Sequence, residues 1–166
     1  EALRGNPSGY EGQLEGVRSL VEEAELLVFA PNGTCSVDVD RLGNPFRAPY
    51  DCGEIDSTTF DLFRDRLVEA YQEIRAIRGD TPLLIRTFEA YAPTVEGWRE
   101  AGRYEECKAA VLGYNETIRA AAEAHQVPVA RLRLTFNGPE FDEDPIRKEL
   151  IGPDRVHTDE TGQALI

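Results

Sequence analysis

The sequence predicts an α/β domain in which a parallel sheet is covered by helices on both faces. Three short apolar runs carry this reading: Leu26-Leu-Val-Phe-Ala30, Leu83-Leu-Ile85 and Gln126-Val-Pro-Val-Ala130. Segments whose apolar residues recur at helical spacing separate them. Buried parallel strands read as continuous apolar runs, and alternating β and α segments build parallel sheets. In such sheets ligands sit at the carboxyl ends of the strands. Here those ends are Asn32-Gly33-Thr34, Glu89-Ala90-Tyr91 and, later, a loop that holds Asp154 and His157. A chain of 166 residues is expected to form a single domain, 1–166, with a real core.

Taken in order, Tyr10 to Glu23 places Leu14, Val17, Leu20 and Val21 on one helical face. The run Leu26 to Ala30 reads as a buried strand stopped by Pro31-Asn-Gly33, and residues 31 to 56 as a long loop. Asp56-Ser57-Thr58 supplies N-cap residues for a helix reaching Arg78, with Phe60, Phe63, Leu67, Tyr71 and Ile74 as its apolar stripe. Gly79-Asp-Thr-Pro82 ends it, and a strand runs from Leu83 to about Phe88. A third helix is expected from about Arg103 to His125. The third strand follows, with Pro128 suited to a strand start or edge. Phe136-Asn-Gly-Pro139 reads as a turn, and Glu140 to Leu150 as a short helix.

Composition excludes several classes. A net charge of −13 argues against nucleic acid and anionic membranes, because phosphate binding needs clustered Lys and Arg. No apolar run approaches the ~18 residues of a membrane span, so no integral membrane segment is expected. Asp38-Val-Asp40 lacks the Gly and terminal Glu of a calcium loop. No Cys-x-x-Cys or Cys/His cluster suggests zinc, so neither metal nor organic cofactor is expected. Cys35 and Cys52 bracket a polar loop of about 17 residues, and a bridge between them would stabilise the fold by ~3 kcal/mol. That implies an oxidising compartment, extracellular or cell-envelope, with a cytoplasmic chain of three reduced cysteines as the alternative. Cys107 falls in a helical pattern and reads as a packing residue. Trp98 reads equally as a substrate lip or a helix-start packing residue, and His125 as a helix C-terminal cation favoured by the macrodipole.

The stretch from Gly152 to Ile166 carries the chemistry. Asp154 lies three residues before His157, after Gly-Pro, and Thr158 or Asp159 then N-caps a final helix containing Ala164, Leu165 and Ile166. A histidine oriented by a carboxylate is the general base that a serine nucleophile needs. The plainer reading is a capping Asp and a surface His.

The block Asp154-Arg-Val-His157, then Thr-Asp-Glu-Thr-Gly162, resembles the closing block of the SGNH (GDSL-type) hydrolases. Arg155, Thr158 and Gln163 depart from the family's usual Gly, Pro and His or Tyr. Earlier segments resemble that family in the same order: Pro82-Leu-Leu-Ile85, Tyr91-Ala-Pro93, Tyr114-Asn-Glu-Thr-Ile118 and Phe136-Asn-Gly138. The resemblance implies a flavodoxin-like three-layer α/β/α fold and a serine-type esterase acting on a small-molecule ester. His157 would be the base, Asp154 its orienting acid, and Asn32 or Thr34 an oxyanion-hole donor. Register places Thr34 at the family's oxyanion Asn and Cys35 at the following Asp. No Gly-Asp-Ser occurs, and Ser8 in Asn6-Pro-Ser-Gly9 reads as a turn residue, so the nucleophile is unassigned. The family's first one or two βα units are then expected ahead of Glu1. The rival expectation is a non-catalytic relative that binds carbohydrate or protein.

Overall fold

A computed structural model describes residues 18–30, 57–153 and 157–166. Helix α1 (residues 18–23) leads into strand β1, Leu26–Phe29. Then come α2 (Ser57–Arg78), β2 (Leu84–Phe88), α3 (Val95–Glu100), α4 (Tyr104–Ala124), β3 (Val129–Ala130), α5 (Leu132–Asn137) and α6 (Glu160–Gln163). The three strands form one parallel sheet in the order β1-β2-β3, with Leu26 opposite Leu84 and Thr87 opposite Val129. The mixed α/β class and its parallel sheet therefore stand as the sequence indicated.

The main core follows from two periodicities meeting. Phe63, Leu67, Tyr71 and Ile74 recur every three or four residues along α2, and Tyr114, Ile118, Ala121 and Ala122 do so along α4. Both stripes pack on Leu27, Phe29, Ile85 and Val129, the side chains that alternation sends to one face of the sheet. Phe63 and Phe60 meet Tyr114 edge-on, at 4.8 and 5.6 Å between ring centroids. The Phe60 ring lies over Gly113, where a Cβ would stand 2.3 Å from its Cζ, so α2 and α4 touch at that crossing only because position 113 has no side chain.

The opposite face carries helix α5. Among the described residues it is covered around Phe88, by Leu132 and Phe136 of α5 together with Leu150 and Ile151. Toward β1 it is open: Leu26, Val28 and Leu84 are 54%, 56% and 58% exposed. β1 thus alternates where a strand buried on both faces was expected. Both crossovers step the same way across the sheet, and right-handed connections then place α2 and α4 on one face.

Two helical readings also shift. Residues 140–150 form turns, and the helix near them is α5, before Gly138. Helix α3 is additional: Thr94 caps it by accepting from Gly97 N at 3.0 Å, and the Asp144 carboxylate accepts from Glu96 N at 2.7 Å. Trp98 of α3 is 0% exposed, in a second core with Val95, Val111 and Phe141. It is a packing residue and not a lip.

Candidate functional site

The carboxyl end of the sheet is built from a loop and a returning C-terminal segment. The loop Glu89–Pro93 leaves β2 and is pinned by two asparagines that are both fully buried. Asn115 of α4 accepts from Ala90 N at 2.7 Å and donates to Ala90 O at 2.8 Å. Asn137 of α5 treats Ala92 likewise, at 2.8 and 2.9 Å. Each amide therefore satisfies a backbone donor and acceptor that no strand partner takes. Tyr91, between these two clamps, stacks on Phe136 with ring centroids 4.1 Å apart. Neither asparagine was assigned a role in the sequence reading. The signal was present: Asn115 sits beside Tyr114 and Ile118, where an amphipathic helix should be apolar.

The C-terminal segment packs against this loop through Leu150 and Ile151, which share a cluster with Phe88 and Tyr91. Ile151 pairs with Thr158 in an antiparallel bridge, and Gly152 N donates to His157 O at 2.8 Å. His157 is thus fixed by its backbone beside the Ile151–Thr158 bridge, with an exposed side chain. Asp159 N-caps α6, accepting from Gly162 N at 2.8 Å, which selects Asp159 over Thr158 as the cap. A Cβ at Gly162 would lie 2.1 Å from Leu150 O, so glycine is what lets α6 lie against the segment that carries His157. Asp154, Asn32, Thr34, Cys35, Cys52 and Ser8 lie outside the described residues. Of the expected catalytic and oxyanion groups, only His157 is placed, at the carboxyl end of β2.

Glu89, in the loop after β2, adds a buried charged group. Its carboxylate is 0% exposed and ion-pairs through Oε1 with Arg119 of α4 and with Arg131 Nε, the latter at 2.8 Å. His125 is the C-cap residue of α4; its ring lies 5.4 Å from that of Tyr71, and its carbonyl accepts from Arg75 at 2.5 Å. At the opposite end of the sheet a cleft of about 910 Å³ opens between Glu22, Glu25, Arg75, Arg78, Pro82 and Leu84. It lies at the amino ends of the strands, away from His157.

Cys107 revises the cysteine expectation. It is fully buried and disulfide-bonded. It therefore does more than pack, while Cys35 and Cys52, the expected pair, lie outside the described residues. Among the described residues no group of His, Cys, Asp and Glu side chains is arranged to hold a metal, and no helix is long and apolar enough to cross a membrane. No protein-family model, curated protein or solved structure matches this chain.

Proposed function

We propose that this chain belongs to a serine-type ester hydrolase of the SGNH (GDSL-type) class, acting on a small-molecule carboxylic ester. The observation that carries the reading is the C-terminal turn: an exposed His157, held by the Gly152–His157 backbone bond and followed at once by the capped α6, at the carboxyl end of a parallel sheet. In this mechanism His157 Nε2 accepts the proton of an attacking serine and returns it to the leaving alcohol. Asp154 accepts a hydrogen bond from Nδ1–H, fixing the tautomer and stabilising the imidazolium. An amide from Asn32 or the Thr34 position holds the oxyanion. The serine belongs to the family's Gly-Asp-Ser block, which residues 1–166 do not contain. No metal or organic cofactor enters. The bridge at Cys107 supports an oxidising, extracellular or cell-envelope setting.

Two measurements test this. In ¹H–¹⁵N spectra of the imidazoles, His157 is expected as the Nδ1–H tautomer, switching toward Nε2–H in Asp154→Asn. A tautomer indifferent to Asp154→Asn supports the plain surface histidine and, with it, a non-catalytic binding domain. On p-nitrophenyl acetate, residues 1–166 alone are expected to show no serine-dependent turnover. Turnover lost on Ser8→Ala would move the nucleophile into this chain.

A further inference from the structure

The cluster of Glu89, Arg119 and Arg131 takes no part in the proposed hydrolysis, and its geometry is uneconomical as a salt bridge. A single guanidinium can satisfy both oxygens of a carboxylate in a bidentate fork. Here two guanidinium groups converge on the same oxygen, Oε1, while Oε2 is buried without a partner. Each guanidinium carries five N–H donors. Arg119 donates from Nη1 to Glu89, Arg131 Nε stands 2.8 Å from the same oxygen as an ion pair, and no other acceptor among the described residues takes a donor from either. The two side chains are 39% and 52% exposed, so both reach solvent from the oxygen they share.

The charge balance points the same way. Two cations around one buried carboxylate leave a local excess of one positive charge, in a chain whose net charge is −13. Held on one oxygen, the two guanidinium groups repel each other at short range, and a second anion placed across them removes that repulsion. The position is also a recognition position. Glu89 directly follows Phe88, the last residue of the central strand, while Arg131 follows β3 and caps α5, so the cluster sits at the carboxyl edge of the parallel sheet.

We infer that Arg119 and Arg131 form an oxyanion-binding site, in which a carboxylate or phosphate group of a small ligand bridges both guanidinium groups while Glu89 holds them convergent. Carboxylate and phosphate each present a pair of acceptor oxygens that an arginine fork matches.

The test is a titration of the 166-residue chain, labelled with ¹⁵N at arginine, with inorganic phosphate and separately with acetate, at constant ionic strength set by chloride. The Nε–Hε resonances of Arg119 and Arg131 are expected to shift saturably. Arg64, exposed and paired with Asp61 on α2, should move little and serves as the internal control. Whichever of the two anions saturates at the lower concentration names the ligand class. Arg131→Gln should raise the midpoint, read at Arg119, at least about tenfold, the size of one charge-assisted hydrogen-bond pair. Should that variant fail to fold, Arg131→Lys retains the charge, lacks the fork, and should still weaken binding several-fold. Shifts that grow linearly without saturation, that appear equally at Arg64, or that survive either substitution with an unchanged midpoint overturn the site and leave a purely structural ion cluster.

Discussion

At the amino end of the sheet a cleft of about 910 Å³ is walled by exposed carboxylates and by two arginines whose donors go to backbone carbonyls: Arg75 to His125 O, and Arg78 to Val21, Glu22 and Pro82. At the carboxyl end the polar groups are buried: Glu89, Asn115 and Asn137 are each 0% exposed, beside the turn that presents His157. This cleft and the buried polar groups thus sit at opposite ends. The polar groups are the better guide, because burying a carboxylate or an amide costs free energy unless its partners are arranged in advance. An open cleft lined by glutamates involves no such cost, and it says little about recognition.

The sharpest way to break this contrast is to remove a buried amide. Asn137→Ala strips the partner from Ala92 N and Ala92 O, and should cost roughly 2–4 kcal/mol in urea unfolding. Glu23→Gln in the amino-end cleft should stay within about 0.5 kcal/mol. Equal costs at the two ends would erase the distinction.

Alkaline unfolding gives the next effect in size. Burial pushes the Tyr114 phenol up to about 12. The unfolded phenol loses its proton near its ordinary value of about 10, so its contribution is fully present below that pH and is lost as pH rises toward 12. Tyr114 precedes Asn115 on α4, so this titration reads whether the clamp helix stays docked. Stability should fall by about 2–3 kcal/mol over that window, and Tyr114→Phe should flatten the decline. A decline unchanged in Tyr114→Phe would assign it to another group.

Gly162→Ala follows. It should cost about 2 kcal/mol and displace the His157 turn, because the new methyl meets the Leu150 carbonyl. Amide exchange at Gly152 is the local readout, and unchanged protection there would show that the turn does not depend on α6. The smallest effect has the opposite sign and lies at the amino end. Gln126 closes α4 with φ +56°, a left-handed conformation that side chains resist. Gln126→Gly should stabilise by up to about 1 kcal/mol, visible as a higher Tm, and a lower Tm would mean the Gln126 side chain contributes contacts of its own.

The sequence by itself determined the elements whose pattern is local. The α2 stripe from Phe63 to Ile74, the α4 stripe from Tyr114 to Ala122 and the three apolar runs declare period and hydrophobicity within their own residues. A cap at Thr158 or Asp159 was legible for the same reason, since a side chain reaching an amide three residues on is a local interaction; the structure chose Asp159, which accepts from Gly162 N. The burial of Glu89, the clamps of Asn115 on Ala90 and Asn137 on Ala92, the buried place of Trp98 and the bridge at Cys107 were decided only in three dimensions. So was the placement of α2 and α4 on one face of the sheet, which follows from both crossovers stepping in one direction. Each of these joins residues distant in the chain: 25 positions separate Asn115 from Ala90, and 45 separate Asn137 from Ala92. A polar residue in an apolar pattern signals that it must find a partner. Which partner it finds depends on how the helices dock, and that is a property of the packed core as a whole.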